Sequence, residues 1–284
     1  MNWQIYTAIS VAGLSVSMIL QRVLLKNKKT DPVAYSVLFQ LMVGLVLLIA
    51  AIWAGFSLEG LKSVWQIALV CLFLYGIGTV VYAKTLQKVE ASVFSVFYAT
   101  HAFWMMLVGL FFLNESLTII QVLGSVLIFL SATLLIKNIK SLKLGQGTIY
   151  GLVTGLIYGF AISCWAYVGR NVESIVTWAS ISFIGAALFS FLVSPNSLHK
   201  IKPLVTGKVL NRMVVLALVY ATGSLSMLLA YKYGNLSIVS SLRQTGIIVT
   251  VLLAFVFLKP ERNRVKIKIV AALLCFIGSL LILV

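Results

Sequence analysis

Apolar residues arrive in this chain in blocks of roughly 18 to 23, each long enough for a helix to cross about 30 Å of hydrocarbon, and nearly all the charge lies between them. That pattern fixes the solvent before the fold. Of 284 residues, 61% are apolar and 10% charged, against about 25% charged in soluble domains, so a water-soluble domain has nowhere to hide this surface. Continuous blocks also exclude a lipid-facing barrel, whose strands alternate apolar and polar residues. Within lipid, a helix closes its own backbone hydrogen bonds.

The blocks predict ten transmembrane helices: Trp3–Leu25, Pro32–Ala54, Val64–Tyr82, Ala91–Leu113, Thr118–Ile136, Gly147–Val168, Ser174–Val193, Val209–Ala230, Leu236–Leu258 and Val265–Val284. Only Met1 and Asn2 precede the first, without a basic segment or a cleavage pattern, so the first span is expected to be retained. Cys71, Cys164 and Cys275 all fall inside spans, which favours small buried hydrophobes over a disulfide framework.

The net charge of +16 would suggest nucleic acid in a soluble protein; here it reads as topology, with no nucleic acid partner. Connections one, three, five, seven and nine carry basic groups from Arg22 to Lys29, at Lys84 and Lys88, from Lys137 to Lys143, from Lys200 to Arg212 and from Lys259 to Lys268. The opposite connections carry only Lys62, Arg170 and Lys232. The positive-inside rule then places the basic side in the cytoplasm, and both termini outside, in the cell (inner) membrane.

The basic connection Lys137–Gln146 divides the spans five and five, giving expected units at 1–143 and 144–284. An odd number per half means that related halves have opposite topologies. FFLNESL, followed by Gln121, Gly124 and Ser131, is echoed by FVFLKPER, followed by Ala271 and Gly278. The fold class expected is all-α, with ten transmembrane helices as two inverted five-helix repeats, a design suited to alternating access.

With its two halves of five and the run from Asn114 through Glu115, Gln121 and Gly124 to Ser131, the chain resembles the EamA-type permeases of the drug/metabolite transporter superfamily over essentially its whole length. Half two keeps Glu261 but has Ala271 in place of the glycine. The resemblance implies a secondary carrier, frequently an exporter, of metabolites or amphipathic compounds, without an ATPase domain. No GxxxxGK[ST] phosphate loop is present. Lipid and a small-molecule substrate are the expected partners, with a monomer or homodimer as the assembly. A non-transporting membrane scaffold or sensor is the alternative.

Arg243, in SSLRQTG, lies about seven residues inside the ninth span, roughly 10 Å of helix rise from its end. A guanidinium at that depth needs a cavity, a partner or a route to the interface. As a substrate contact it would select a carboxylate or other anion, with Gln244, Thr245, Ser240 and Ser241 beside it. His101 lies near the centre of the fourth span, where it could couple proton movement or bond a neighbouring helix. Tyr98, Thr100 and Trp104 are expected to form one wall of the path, opposed by Tyr75, Thr79 and Tyr82 from the third span and by Tyr220, Ser224, Met227 and Tyr231 from the eighth. Asp31, Glu59, Glu90, Glu115, Glu173 and Glu261 all lie at span ends, which disfavours a mid-membrane carboxylate of the organic-cation/proton exchange type. Glu90 is the second proton candidate, against a helix-start charge. Gly151, Gly155 and Gly159 put a close-approach face on the sixth span. With two histidines and no HExxH, neither a metal, a cofactor nor an enzymatic site is expected.

Overall fold

The computed structural model describes residues 3–26, 30–112, 118–134, 146–234, 239, 242–258 and 265–281, which form helices, turns and no strand. The helices are α1 (Trp3–Leu25), α2 (Pro32–Ala54), α3 (Trp65–Lys88), α4 (Ala91–Ala99), α5 (His101–Phe112), α6 (Ile119–Thr133), α7 (Gln146–Asn171), α8 (Ile175–Val193), α9 (Gly207–Tyr233), α10 (Thr245–Phe257) and α11 (Val265–Leu281). Six of them, α1, α2, α3, α7, α8 and α9, are long and apolar enough to cross a membrane. The other five are each 17 residues or fewer.

Local chemistry sets several boundaries. Asp31 caps α2 by accepting from the Val33 and Ala34 amides at 3.0 Å, just before Pro32 in the first turn, where its missing N–H costs nothing. Burial pushes the Asp31 carboxyl up, but the Lys200 ammonium and those two amides outweigh it and hold its pKa below the usual value. Ser174 caps α8 through the Thr177 amide. Helix α3 runs past the expected Tyr82 to Lys88, because Gln87 and Lys88 reach polar partners, the Thr30 carbonyl and the Gln146 side chain.

The bundle is apolar outside, unlike a soluble domain, and holds polar groups inside a largely apolar core. Ile49, Ile52, Leu188, Leu192, Val256 and Phe257 are exposed, whereas Ser36, Gln40, Thr79, Ser180 and Ser190 are buried. Buried polar groups must find partners: Ser190 donates to Gln40 Oε1 at 2.7 Å, Gln40 Nε2 donates to Thr79 Oγ1 at 2.8 Å, and Ser180 donates to the Gly44 carbonyl at 3.0 Å.

Packing partners repeat between the halves. Helix α2 packs on α8, α1 on α9, α3 on α7 and α6 on α11. Exchanging α1–α6 with α7–α11, taking α4 and α5 together, converts the α1–α9 contact into α7–α3 and leaves the α2–α8 and α6–α11 contacts unchanged. Glycine permits the closest approaches: a Cβ on Gly76 of α3 would stand 2.8 Å from the Ala186 carbonyl of α8, and one on Gly13 of α1 would stand 3.1 Å from the Gly223 Cα of α9.

The ends of the bundle sort into two sets. Asp31 meets Lys200, Gln87 meets Thr30, and Arg22 donates to the Leu86 carbonyl. At the other end, Ser57 donates to Glu173, the Glu173 amide to the Glu59 carbonyl, and Arg170 Nε to the Tyr231 carbonyl at 3.1 Å. Contacts therefore join odd-numbered connections to one another and even-numbered ones to one another, as alternate crossings require. Arg22, ending α1, and Arg170, near the end of α7, occupy equivalent places: each donates to the carbonyls that close the third helix of its own half.

The fourth and ninth spans, read as continuous from sequence, are broken. Thr100 (φ −59°, ψ −15°) separates α4 from α5, and Gln244 (φ −67°, ψ −14°) precedes α10. At each place the backbone tightens to i→i+3 bonds, from the Phe103 amide to the Thr100 carbonyl and from the Ile247 amide to the Gln244 carbonyl. A threonine hydroxyl contributes to each break: Thr100 Oγ1 donates to the Phe97 carbonyl and Thr245 Oγ1 to the Leu242 carbonyl, both at 2.7 Å.

Candidate functional site

The two breaks meet at a narrow central cleft, part of it open to the outside. Half one supplies Ser15 and Ser17 from α1, Tyr75 and Tyr82 from α3, Ser95 and Tyr98 from α4 and His101 from α5; half two supplies Tyr158 from α7, Tyr220 and Met227 from α9, Arg243 and Gln244 at the second break, and Thr250 from α10. Its body is aromatic. Rings pass edge to face from Trp165 to Tyr75, Tyr158 and Tyr98, the last two with centroids 5.2 Å apart.

Among the described residues, Arg243 is the one charged side chain lining this cleft. Its Nη2 lies 2.8 Å from His101 Nε2, while His101 Nδ1 lies 2.7 Å from the Tyr98 carbonyl. A guanidinium can only donate and a carbonyl can only accept. The imidazole is thereby the neutral tautomer with its proton on Nδ1, donating to Tyr98 and accepting from Arg243. The guanidinium carbon also sits 5.9 Å from the centroid of the Tyr98 ring, within cation–π range. Two buried donors at the second break, Arg243 Nε and Gln244 Nε2, have no acceptor among the described residues. Such groups normally find one, so the cleft offers two directed donors and a positive charge to an acceptor brought from outside.

Several residues expected on the path take other work. The Thr79 hydroxyl donates to the Tyr75 carbonyl and lies 3.1 Å from the Tyr158 hydroxyl, fixing that ring rather than facing the cleft. Thr100 and Thr245 shape the two breaks, and Ser224 donates to the Ala221 carbonyl. Trp104 packs beside Phe103 and Gly159, behind the wall. Glu90 does not line the cleft; it begins α4 and pairs with the buried Lys268 of α11. Arg243, Gln244, His101, Tyr98, Tyr75, Tyr82, Tyr220 and Met227 do line it, and Tyr231 is buried among the core side chains. Ser240, Ser241, Glu115 and Glu261 lie outside the described residues, as does the Gln121 side chain. Among the described residues no group of three or more His, Cys, Asp or Glu could hold a metal.

Sequence reasoning did not place Tyr158, Ser15 or Gln40. Gln40 carried the same signal as Arg243, a polar group in the middle of an apolar run, and it anchors Thr79 and, through it, Tyr158.

A central cleft between helices long and apolar enough to cross a membrane defines a polytopic membrane protein with an internal site. The chain belongs to the EamA-like transporter family, whose model matches residues 1–137 and again 145–284. No curated protein matches the chain. Among solved structures, one described only as the crystal structure of a protein aligns over 97% of this chain and 94% of its own, with a TM-score of 0.67 at 16% identity, a likeness of fold.

Proposed function

We propose that the protein is a secondary active carrier that exports small amphipathic metabolites bearing a carboxylate or a similar anion. The observation that carries the anionic class is the pair of buried donors, Arg243 Nε and Gln244 Nε2, without an acceptor among the described residues and beside the guanidinium that lines the cleft. A carboxylate can take two parallel hydrogen bonds from a guanidinium, and the surrounding tyrosines suit an apolar or aromatic body.

Ten crossings in two inverted five-helix units, divided near residue 143, account for both the exchange-invariant packing and the sorting of the bundle ends. Alternating access then amounts to opening one end contact set while the other stays closed. The matched breaks at Thr100 and Gln244 are the natural hinges, since each fourth helix is tightened beside the cleft. Outward placement of the termini follows from the basic bias. A cysteine at Lys202 should react with impermeant thiol reagent only from the cytoplasmic side, and one at Lys62 only from outside; the reverse pattern would invert the orientation.

Purified protein in liposomes, screened against carboxylate-bearing metabolites, should catalyse ATP-independent counterflow of at least one. Binding without counterflow would favour the sensor reading instead.

A further inference from the structure

We infer that His101 takes up a proton when Arg243 takes up an anion, so that the proton travels with the substrate rather than in exchange for it. The inference rests on the anionic reading above and adds the coupling ion. In the ligand-free cleft, His101 Nε2 must present a lone pair, because Arg243 Nη2 donates to it at 2.8 Å. A proton on Nε2 in that arrangement would set two donors and two positive charges face to face. The empty site therefore keeps His101 neutral.

An anion reverses the preference. A carboxylate seated across Arg243 Nε, which is unpartnered, and Nη2, which is not, brings an anionic oxygen to the same nitrogen that His101 accepts from. The Nη2 amino group has a hydrogen for each of them, but the anionic oxygen and the Nε2 lone pair are then two acceptors held against one nitrogen, and they repel. Protonating Nε2 removes the conflict, turning the imidazole from a competing acceptor into a donor toward the carboxylate. The proton comes from the aqueous end of the cleft and leaves with the anion, and Nδ1 keeps its bond to the Tyr98 carbonyl throughout. The site carries one positive charge when empty and one when it holds a monocarboxylate and a proton, which makes the transported pair electroneutral.

Among the described residues, nothing else lining the cleft competes for this role. The charged and titratable groups there or against Arg243 are Arg243 itself, Tyr98 from α4, Tyr75 and Tyr82 from α3, Tyr158 from α7, and Tyr220 and Tyr231 from α9; α1 and α10 add only hydroxyl, glycine and apolar groups, and none of the described residues lining it is a carboxylate. Phenols stay protonated through the physiological range, which leaves His101 as the proton carrier. Positive linkage has a definite sign: anion binding tightens as pH falls, and net direction follows the combined gradients of proton and anion, so export runs only where the outward anion gradient exceeds the inward proton gradient. A carrier whose proton and substrate compete for one site would show the opposite.

The test uses full-length protein in micelles with His199→Gln, removing the exposed second histidine, and 15N-labelled histidine observed by NMR. Without ligand, His101 should show the neutral Nδ1–H tautomer at about pH 6, and Arg243→Gln should raise its protonation midpoint by about one pH unit or more. Benzoate, its binding followed by saturation transfer to its ring protons, should convert His101 to imidazolium in the Arg243 protein and not in the Gln variant. An Nε2–H tautomer in the free protein, or an unchanged titration in Arg243→Gln, overturns the inference. Bound benzoate with a still-neutral His101 overturns the coupling alone, whereas absence of benzoate binding overturns the anionic reading and the coupling with it.

Discussion

Arg243→Gln lowers transport of a carboxylate-bearing substrate by about 100-fold or more, in protein that inserts and elutes as wild type does. The size follows from what is lost: a charge-assisted, two-point contact in a water-poor cleft, where truncating one partner of such a pair costs about 2–5 kcal/mol, and every 1.4 kcal/mol is about tenfold. Arg243→Lys keeps the charge but replaces a planar fork with a point charge on a flexible stem, so it recovers only part of the activity. Lysine also fails to reproduce Nε and Nη2 as adjacent donors, one waiting for an acceptor and the other on His101. Initial rates of tracer counterflow in liposomes at matched protein content measure both effects. Equal rates for wild type and Arg243→Gln would make the arginine a structural group bonded to His101.

The second large effect is steric. Gly155→Leu is expected to abolish transport and sharply reduce the yield of monodisperse protein. A Cβ at Gly155 would fall 2.1 Å from Thr100 Oγ1 and 3.0 Å from the Phe97 carbonyl, and one at Gly159 would fall 3.0 Å from the His101 carbonyl. The flexible hydroxyl can rotate away, but the carbonyls belong to the first break and cannot. Helix α7 must therefore retreat from α4 and α5, taking Tyr158 away from Tyr98 and widening the cleft. Overpacking of this kind costs about 1–3 kcal/mol, and more where the backbone resists. Gly155→Ala adds that Cβ and nothing beyond it, so with the Thr100 hydroxyl rotated aside it needs only a small shift of α7; it should keep folded protein while slowing transport, because the same contact must re-form as the break moves. Size-exclusion profiles and counterflow of the two variants check this; a Leu variant with normal yield and rate would show that α7 does not bear on the break.

Much of this molecule could be read from sequence, because lipid imposes a long-wavelength pattern that single residues hardly disturb. The ends of α1 and α2 fall at the expected Trp3, Leu25, Pro32 and Ala54. The glycine stripe of the sixth span does meet a neighbour closely, against Phe97, Thr100 and Trp104. Ten full crossings are a different matter, since only six described helices have the length and apolarity to make one alone.

What escaped sequence reading was decided by pairwise geometry. Arg243 and His101 were each singled out by depth, but they lie 142 positions apart, and nothing in either segment says that one bonds the other. The threonines were assigned to the path because a hydroxyl in a span suggests a ligand. In a helix, though, the nearest acceptor is the carbonyl three or four residues back, which Thr79, Thr100 and Thr245 take. The same back-bonding accompanies the breaks in the fourth and ninth spans, and a polar residue within a span does not by itself say that the helix is interrupted there. In sequence Glu90 is a lone span-end charge and Lys268 one of a basic cluster 178 positions away; only the fold pairs them.

A mutant and ligand cycle tests the anionic site most directly: competition by a carboxylate and by its neutral carboxamide against tracer counterflow, for wild type and for Arg243→Gln. The carboxylate should compete at least about 100-fold better than the amide in wild type, and the two should converge in the Gln variant, because the preference resides in the guanidinium. An undiminished preference for the carboxylate in Arg243→Gln would place anion recognition elsewhere in the protein.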